Sequence, residues 1–429
     1  MRYVNFGRLF DDFNGDGYSD VIVGAPGQTS GAIKEGNVFV YYGSAAGIPT
    51  NPSVTLDNPA NQDNGKFGNS VASAGDVNGD GYAEVIVGAP NQDTSAKDEG
   101  NAFIYYGSAA GISVTPSATL YNPNSQESGF FGVSVASAGD VNGDGYDDVI
   151  VGAWLQDASA KDEGNAFVYL GSASGITTAP PVTLDNPTNQ WSGFFGISVA
   201  SAGDLNEDGY SDVIIGAYAQ NAGAMDEGNA FVYYGSAFGI PSSPSVTLFN
   251  PENQQGGNFG FSVACAGDVN GDGHSDVIVG APNQSSVAMQ EGKAFVYFGS
   301  FSGISITPSV TLDNPENQTN GCFGTSVASA GDVNGDGYFD IIVGAFCQDN
   351  GATDEGNAFV FYGSALGITV RPSVTLDNPE NQQGGVFGHS VALSTYNLTL
   401  SHRKATLAPL RYHLTPAEPT MLASRPANK

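Results

Sequence analysis

The sequence predicts an all-β propeller of four-stranded antiparallel blades, on three observations: one unit recurs at a fixed interval, its apolar segments are short and strand-like, and no helix-period segment separates them. A shift of 64 residues superposes Phe67-Gly68, Phe131-Gly132, Phe195-Gly196, Phe259-Gly260, Phe323-Gly324 and Phe387-Gly388, with no insertion between copies. Within the unit the order is FGxSVASAGD, DVNGDGYxD, VIVGAP, EGNAFVYYGSAxGI and SVTLDNP. The segments SVA, DVIVGA, NAFVYY and SVTL are rich in β-branched and aromatic residues and bounded by Gly, Asn, Asp and Pro clusters, so each repeat holds four strands. Small residues in SVASAG let the innermost strands approach a central channel. A parallel β-helix fits less well, because its rungs repeat at about half this length or less.

Composition agrees with a folded β protein. The chain of 429 residues has 59 Gly and 11% aromatic residues, which suits tight turns between packed strands and not a disordered acidic polymer. Its formal charge of −31 argues against nucleic acid or an anionic membrane as partner. Bound cations or a cationic partner would complement it. No stretch approaches the roughly 18 apolar residues of a membrane span, so no direct membrane insertion is expected, and the start MRYVNFGRLF has no signal-peptide core. On that reading either the chain is cytosolic or its true N-terminus is missing.

The ends bear on ring closure. Residues 12 to 59 supply everything in the unit except a well-formed first strand, and Phe387 to Ala392 form a lone first strand. Joined, they would complete one blade of a six-bladed closed ring; the rival is a seven-bladed ring cut short. The repeat stops at Leu393. Residues 1–392 are therefore assigned to the propeller and 393–429 to a basic, non-repeat tail, with five of the chain's 13 Lys and Arg and only Glu418 as an acid. This tail reads as disordered or foreign.

Six loops carry the chemistry. Asp12, Asn14, Asp16 and Asp20 stand at positions 1, 3, 5 and 9 of a loop whose position 6 is Gly17, and Tyr18 at position 7 offers a backbone carbonyl. The pattern repeats at Asp76, Asn78, Asp80, Tyr82, Glu84; at Asp140, Asn142, Asp144, Tyr146, Asp148; and at Asp204, Asn206, Asp208, Tyr210, Asp212. It returns at Asp268, Asn270, Asp272, His274, Asp276 and at Asp332, Asn334, Asp336, Tyr338, Asp340. Calcium takes six to eight oxygens at short range, and side chains spaced by two can wrap it. One such loop alone could be an Asx-turn closing a hairpin. Six in register, each crowding three carboxylates into nine residues, imply about six calcium ions, since the charges repel one another unless neutralised. The loops hold 18 of the 44 acids, and six divalent ions would leave a net charge of about −19. No EF-hand Glu follows at position 12, and strands flank each loop. Glu84 at position 9 and Glu207 at position 4 depart from the pattern and are expected to shift affinity.

The Phe-Gly pairs, these loops and the triplets Gly24-Ala25-Pro26, Gly88-Ala89-Pro90 and Gly280-Ala281-Pro282 together resemble FG-GAP repeats of the integrin α-subunit N-terminal propeller type. The resemblance spans roughly residues 6 to 392. It implies a propeller, usually seven-bladed, with calcium in the hairpin between the first and second strands of a blade and with ligand binding on the opposite face. It also implies an extracellular or cell-surface recognition or adhesion module that binds a protein or glycan. A structural surface scaffold unit, or a non-catalytic accessory domain of a secreted hydrolase, are the alternatives. Unlike a whole integrin subunit, this sequence has no inserted adhesion domain, leg domains or membrane segment, and its repeats are far more alike.

On the opposite face the third GAP position becomes Trp154, Tyr218 and Phe346, while Phe130, Phe194 and Trp191 lie just before Phe-Gly pairs. Such aromatics either hold a ligand or pack between blades. Acidic pairs at Asp98-Glu99, Asp162-Glu163, Asp226-Glu227 and Asp354-Glu355 read as solvated turns or as an attraction for a basic partner. Cys265, Cys322 and Cys347 form no framework; each reads as a small buried substitute, with a Cys322–Cys347 bridge as the other option. No nucleophile with a base breaks the repeat symmetry: of four His, His274 replaces a Tyr, His389 sits in the last first strand, and His402 and His413 fall in the tail. No enzyme activity is expected.

Overall fold

A computed structural model describes residues 11–178, 182–379 and 382–392. All of its regular structure is β. The first blade holds β1 (Val21–Ala25), β2 (Asn37–Tyr41) and β3 (Val54–Asp57), and the second β4 (Ser70–Gly75), β5 (Glu84–Ala89), β6 (Asn101–Tyr105) and β7 (Ala118–Tyr121). The third runs β8 (Ser134–Gly139), β9 (Asp148–Ala153), β10 (Asn165–Tyr169), β11 (Val182–Asp185), and the fourth β12 (Ser198–Gly203), β13 (Asp212–Ala217), β14 (Asn229–Tyr233), β15 (Val246–Phe249). The fifth holds β16 (Ser262–Gly267), β17 (Asp276–Ala281), β18 (Lys293–Tyr297), β19 (Val310–Asp313), and the sixth β20 (Ser326–Gly331), β21 (Asp340–Ala345), β22 (Asn357–Phe361), β23 (Val374–Asp377).

Each blade is an antiparallel meander in chain order, and the six are arranged as a six-bladed β-propeller whose first blade shows three strands among the described residues. The SVASAG strands of neighbouring blades lie side by side and stay half-buried, as strands lining a channel do. The DVIVGA and NAFVY strands behind them are fully buried.

The core is divided between the blades. Ile86, Ala102, Ile104 and Leu120 of the second blade pack with Phe131, Val135, Val149, Val151, Phe167 and Tyr169 of the third, and four further clusters repeat this at the other consecutive junctions. Period-two alternation turns one face of each inner sheet to the preceding blade and one to the next, so in the second to fifth blades neither face meets water.

The Phe-Gly turn is the joint between blades. Phe131 N–H donates to Glu99 O of the second blade (3.0 Å), and Gly132 N–H donates to Gly152 O of its own blade (2.9 Å). A Cβ on Gly88 would lie 2.0 Å from Gly132 O, so the glycine of the second blade's GAP triplet is required for the next blade's turn to approach.

The closing strand expected at Phe387–Ala392 does not form. Phe387 N–H donates to Glu355 O (2.8 Å) and Ser326 Oγ to Gly388 O (2.8 Å), which fixes the turn to the sixth blade. Beyond it Ser390 and Ala392 are exposed. The Phe-Gly glycines from Gly68 to Gly324 each donate to the GAP glycine one strand on, but no such bond joins Gly388 to Gly24. Among the described residues β1 pairs only with β2, and no apolar cluster joins the sixth blade to the first. Leu376 is accordingly 38% exposed, where its five counterparts, such as Leu184, are fully buried. The tail assigned to 393–429 lies outside the described residues.

Candidate metal centres and the opposite face

Every acidic loop lies immediately before the second strand of its blade, and from the second blade on it is the hairpin joining first strand to second. The third loop shows how the sequence folds it. The Asp140 carboxylate accepts from the N–H groups of Gly143 (2.7 Å), Asp144 (3.1 Å) and Gly145 (2.9 Å). Asn142 Oδ1 accepts from Asp144 N–H (2.9 Å), and Asp144 Oδ1 from Tyr146 N–H (3.1 Å). Three donors on one carboxylate curl the chain around it and gather the oxygens of positions 1, 3 and 5 on the inside of the curl. The same bonds recur about Asp12, Asp76, Asp268 and Asp332, and in part about Asp204.

Position 9 anchors the loop. Asp148 is fully buried, with Oδ2 accepting from Val141 N–H (3.0 Å) and Oδ1 from Gly171 N–H (2.8 Å) in the connection between third and fourth strands. Burial pushes Asp148 and Asp212 up to about 7, Asp276 to about 8 and Asp20 to about 6, and raises Asp340. Backbone donors oppose the rise, and the loop's other carboxylates add to it. A buried carboxylate beside two like charges, with no cationic side chain in the loop, is a position that a hard divalent cation would relieve. The donor set is all oxygen and so fits calcium.

The second loop differs. Glu84 reaches further into the loop: Oε2 accepts from Val77 N–H (2.7 Å), but Oε1 accepts from Asn78 Nδ2 (3.3 Å) where the Asp residues hold a glycine N–H. Its oxygen and those of Asp76 and Asp80 come within 4.8 Å of one another. Burial pushes Glu84 up to about 9. Asp147 of the next loop adds a fourth carboxylate, accepting from Asp76 N–H at 2.7 Å.

The loops are joined to one another, which the spacing did not reveal. Position 8 of each loop donates its N–H to the position-1 carbonyl of the loop before: Ala83 to Asp12 (3.2 Å), Asp147 to Asp76 (3.1 Å), Ser211 to Asp140 (2.9 Å), Ser275 to Asp204 (3.2 Å) and Phe339 to Asp268 (3.1 Å). The tyrosine at position 7 leans on the position-4 glycine of the preceding loop, and a Cβ on Gly79 would lie 2.7 Å from Tyr146 Cε1. Glu207 occupies that glycine position in the fourth loop, and the ring it would meet in the fifth is His274 instead of Tyr. The smaller ring makes room for the side chain, and Glu207 Oε1 comes within 3.2 Å of where a Cβ on Gly273 would stand.

On the opposite face the expected aromatics form a row. Phe130 meets Trp154 (6.4 Å between centroids), Trp154 meets Phe194 (5.1 Å), Phe194 meets Tyr218 (5.3 Å), and Tyr218 meets Phe261 (5.4 Å). All five are half-buried. Phe261 was missed because it follows its Phe-Gly pair where the others precede theirs. Phe346 packs edge-on against His389 (5.2 Å). Trp191 stands apart, 68% exposed and outside the row.

The acidic pairs are not solvated turns. Glu99, Glu163, Glu227 and Glu355 are buried, and the Glu163 carboxylate accepts from the N–H groups of Ala158 (2.9 Å), Ser159 and Ala160 (2.9 Å). This carboxylate folds the connection between second and third strands and is closed to a partner. Recurrence is the signal that finds it: Glu35 and Glu291 hold the position where Asp is replaced by Lys34 or Gln290. The aspartates remain at the surface, two of them beside Lys97 (3.6 Å) and Lys161 (3.3 Å).

Comparison with known proteins agrees with this architecture. The FG-GAP repeat profile matches residues 9–41, 67–105, 131–169, 195–233, 259–297 and 323–361. Integrin alpha-5 of Xenopus laevis is 30% identical over 271 residues, 59% of this chain and 25% of that protein. Integrin alpha-8 of Mus musculus is 32% identical over 246 residues, 56% and 22%. Integrin alpha pat-2 of Caenorhabditis elegans is 31% identical over 290 residues, 63% and 22%. The chain thus spans about a quarter of the length of these relatives. Among solved structures, the exotype rhamnogalacturonan lyase YesX aligns with a TM-score of 0.37 and 11% identity over 80% of this chain and 57% of that one, too distant a likeness to bear on function. With six profile matches, one per blade, the chain belongs to the FG-GAP repeat family and is an integrin-α-like propeller.

Proposed function

We propose that this chain is a calcium-binding extracellular or cell-surface recognition module, not an enzyme, that takes a protein or glycan ligand on the face opposite its acidic loops. The observation that carries the calcium reading is the loop itself, in which backbone donors curl the chain around the position-1 carboxylate and a buried carboxylate at position 9 anchors it, and in which the oxygens of Asp76, Asp80 and Glu84 come within 4.8 Å of one another. Asp12, Asn14, Asp16 and Asp20, with their counterparts in the other five loops, would hold about six ions. A bound divalent ion would neutralise the loop and lock the hairpin to its neighbours through the position-8 bonds. The half-buried row Phe130, Trp154, Phe194, Tyr218 supports ligand binding: flat rings held in a line offer stacking area at little entropic cost, which suits a sugar chain or an extended peptide. The integrin α relatives favour adhesion over catalysis.

Elemental analysis after dialysis should find about six calcium ions per chain. Binding to glycan and protein arrays, with calcium and with chelator, tests the recognition reading. A calcium-dependent ligand that Trp154→Ala weakens at least tenfold is the expected result; binders nowhere on either array would instead favour a scaffold unit.

A further inference from the structure

The residue ahead of each Phe-Gly pair has a left-handed backbone, with φ of 52° at Phe130, 57° at Phe194, 55° at Asn258 and 54° at Cys322. That conformation turns its side chain towards the end of the second strand in the same blade. There Phe130 meets Trp154, Phe194 meets Tyr218, and Asn258 Oδ1 accepts from Asn283 Nδ2. Cys322 and Cys347 stand in the sixth blade where Asn258 and Asn283 stand in the fifth. The two thiols are neighbours, each the largest influence on the other's ionisation, and Cys322 Sγ donates to Asn320 O (3.4 Å).

We propose that Cys322 and Cys347 are an oxidation site, a dithiol that a low-molecular-weight disulfide such as glutathione disulfide converts to an intrablade disulfide stapling the sixth Phe-Gly turn to its own sheet. The Cys347 thiol lowers the pKa of Cys322 and has its own raised, so Cys322 ionises first. Its thiolate attacks one sulfur of glutathione disulfide and expels one glutathione thiolate. Cys347, losing its proton to solvent, then attacks the Cys322 sulfur and expels the second. Each cysteine sulfur gives up one electron, and the two glutathione sulfurs take up two. The third cysteine is a built-in control: Cys265 lies in the channel-lining strand β16, and burial pushes its thiol up to about 11, so it stays reduced. The staple falls where it has most to do, on the blade whose outer strand β23 is exposed along its whole length. An oxidising compartment outside the cell would keep it closed.

The test incubates the full chain with glutathione disulfide, alkylates the remaining thiols, and maps peptides by mass without reductant. The expected product has lost two hydrogens, joins the Cys322 and Cys347 peptides, and leaves Cys265 alkylated; dithiothreitol reverses it. Cys347→Ser should trap Cys322 as a stable mixed disulfide with glutathione. Oxidised wild type should melt higher than reduced, a difference absent from the Cys322→Ser, Cys347→Ser double variant. The proposal is overturned if both cysteines remain alkylatable, if each carries its own glutathione, or if the cross-link runs between chains.

Discussion

Glu163 is withdrawn from water, yet no cation stands beside it; its Oε1 accepts from the N–H groups of three successive residues in the connection it organises, while Oε2 is buried without a hydrogen-bond partner. Removing the carboxylate strands those donors, and a buried donor left without an acceptor costs about 1–3 kcal/mol. Glu163→Ala should therefore destabilise the protein by about 3 kcal/mol in denaturant titration while leaving calcium stoichiometry unchanged. The position-9 aspartates behave differently, because they sit beside like charges. Asp148 is raised to about 7 from an ordinary value near 4, so in the calcium-free fold it favours the protonated form. Its contribution to stability is complete below pH 4 and is lost as pH climbs through 7. Melting of chelator-treated protein should fall between pH 5 and 8, and with Asp212 and Asp276 the effect compounds. Calcium holds that carboxylate ionised in the fold as it is in the unfolded chain above pH 5, so the calcium-loaded protein should lose this fall and melt at a nearly constant temperature over the same range. A metal-free midpoint that rises with pH would contradict the burial of these groups.

At the scale of the element, the strands and loops were legible because the same pattern is written six times in register. Any one DVNGDGYxD could be a plain turn; six in register, five of them between a SVASAG strand and a DVIVGA strand, mark a recurring loop of one design. What the spacing hid are the contacts between elements of different blades. Gly79 meets Tyr146 because two hairpins project side by side from neighbouring sheets, a relation that only the rotation between blades creates. Glu163 was misread for a related reason: an acid next to a turn glycine looks solvated until the turn is seen to fold over it. The position-8 bonds make each hairpin part of the next one's frame, so a loop variant should be felt by one neighbour. Asp144→Ala should remove one calcium ion per chain and weaken the second loop, since Asp147, three residues on, supplies the carboxylate held by Asp76 N–H. Titration calorimetry should show one site lost and a second weakened several-fold; loss of all sites would mean that the loops act as one cooperative set instead of a chain of neighbours.

For the whole molecule, the deciding feature is that stability is held at the junctions between blades. Five apolar cores join the six blades in sequence, and inner blades are clasped on both faces while the first and sixth are clasped on one. Ring closure was the part of the fold that the sequence left open: Phe387-Gly388 makes the usual joint to the blade before it, through Glu355 O and Ser326 Oγ, but lacks the onward bond to Gly24 that the other Phe-Gly glycines make to the next GAP glycine. The consequence is visible in burial: β1 is partly exposed throughout and β23 wholly so, whereas the corresponding second strand β9 is buried at every residue. In a structure of nearest-neighbour contacts, opening starts at an end and moves inward, and each step costs one junction. Amide exchange should accordingly be fastest in β1 and in β22 and β23, slowest in β9, β10, β13 and β14, and graded between them. Removing calcium should accelerate exchange most in the first and sixth blades, where a loosened hairpin has a neighbour on one side only. Per site the ion contributes about 2.7 kcal/mol at one hundred times its dissociation constant, enough to change end-blade protection by about a hundredfold. Uniform exchange across all six blades would show that β1 and β23 meet a partner in solution and that the ring closes after all.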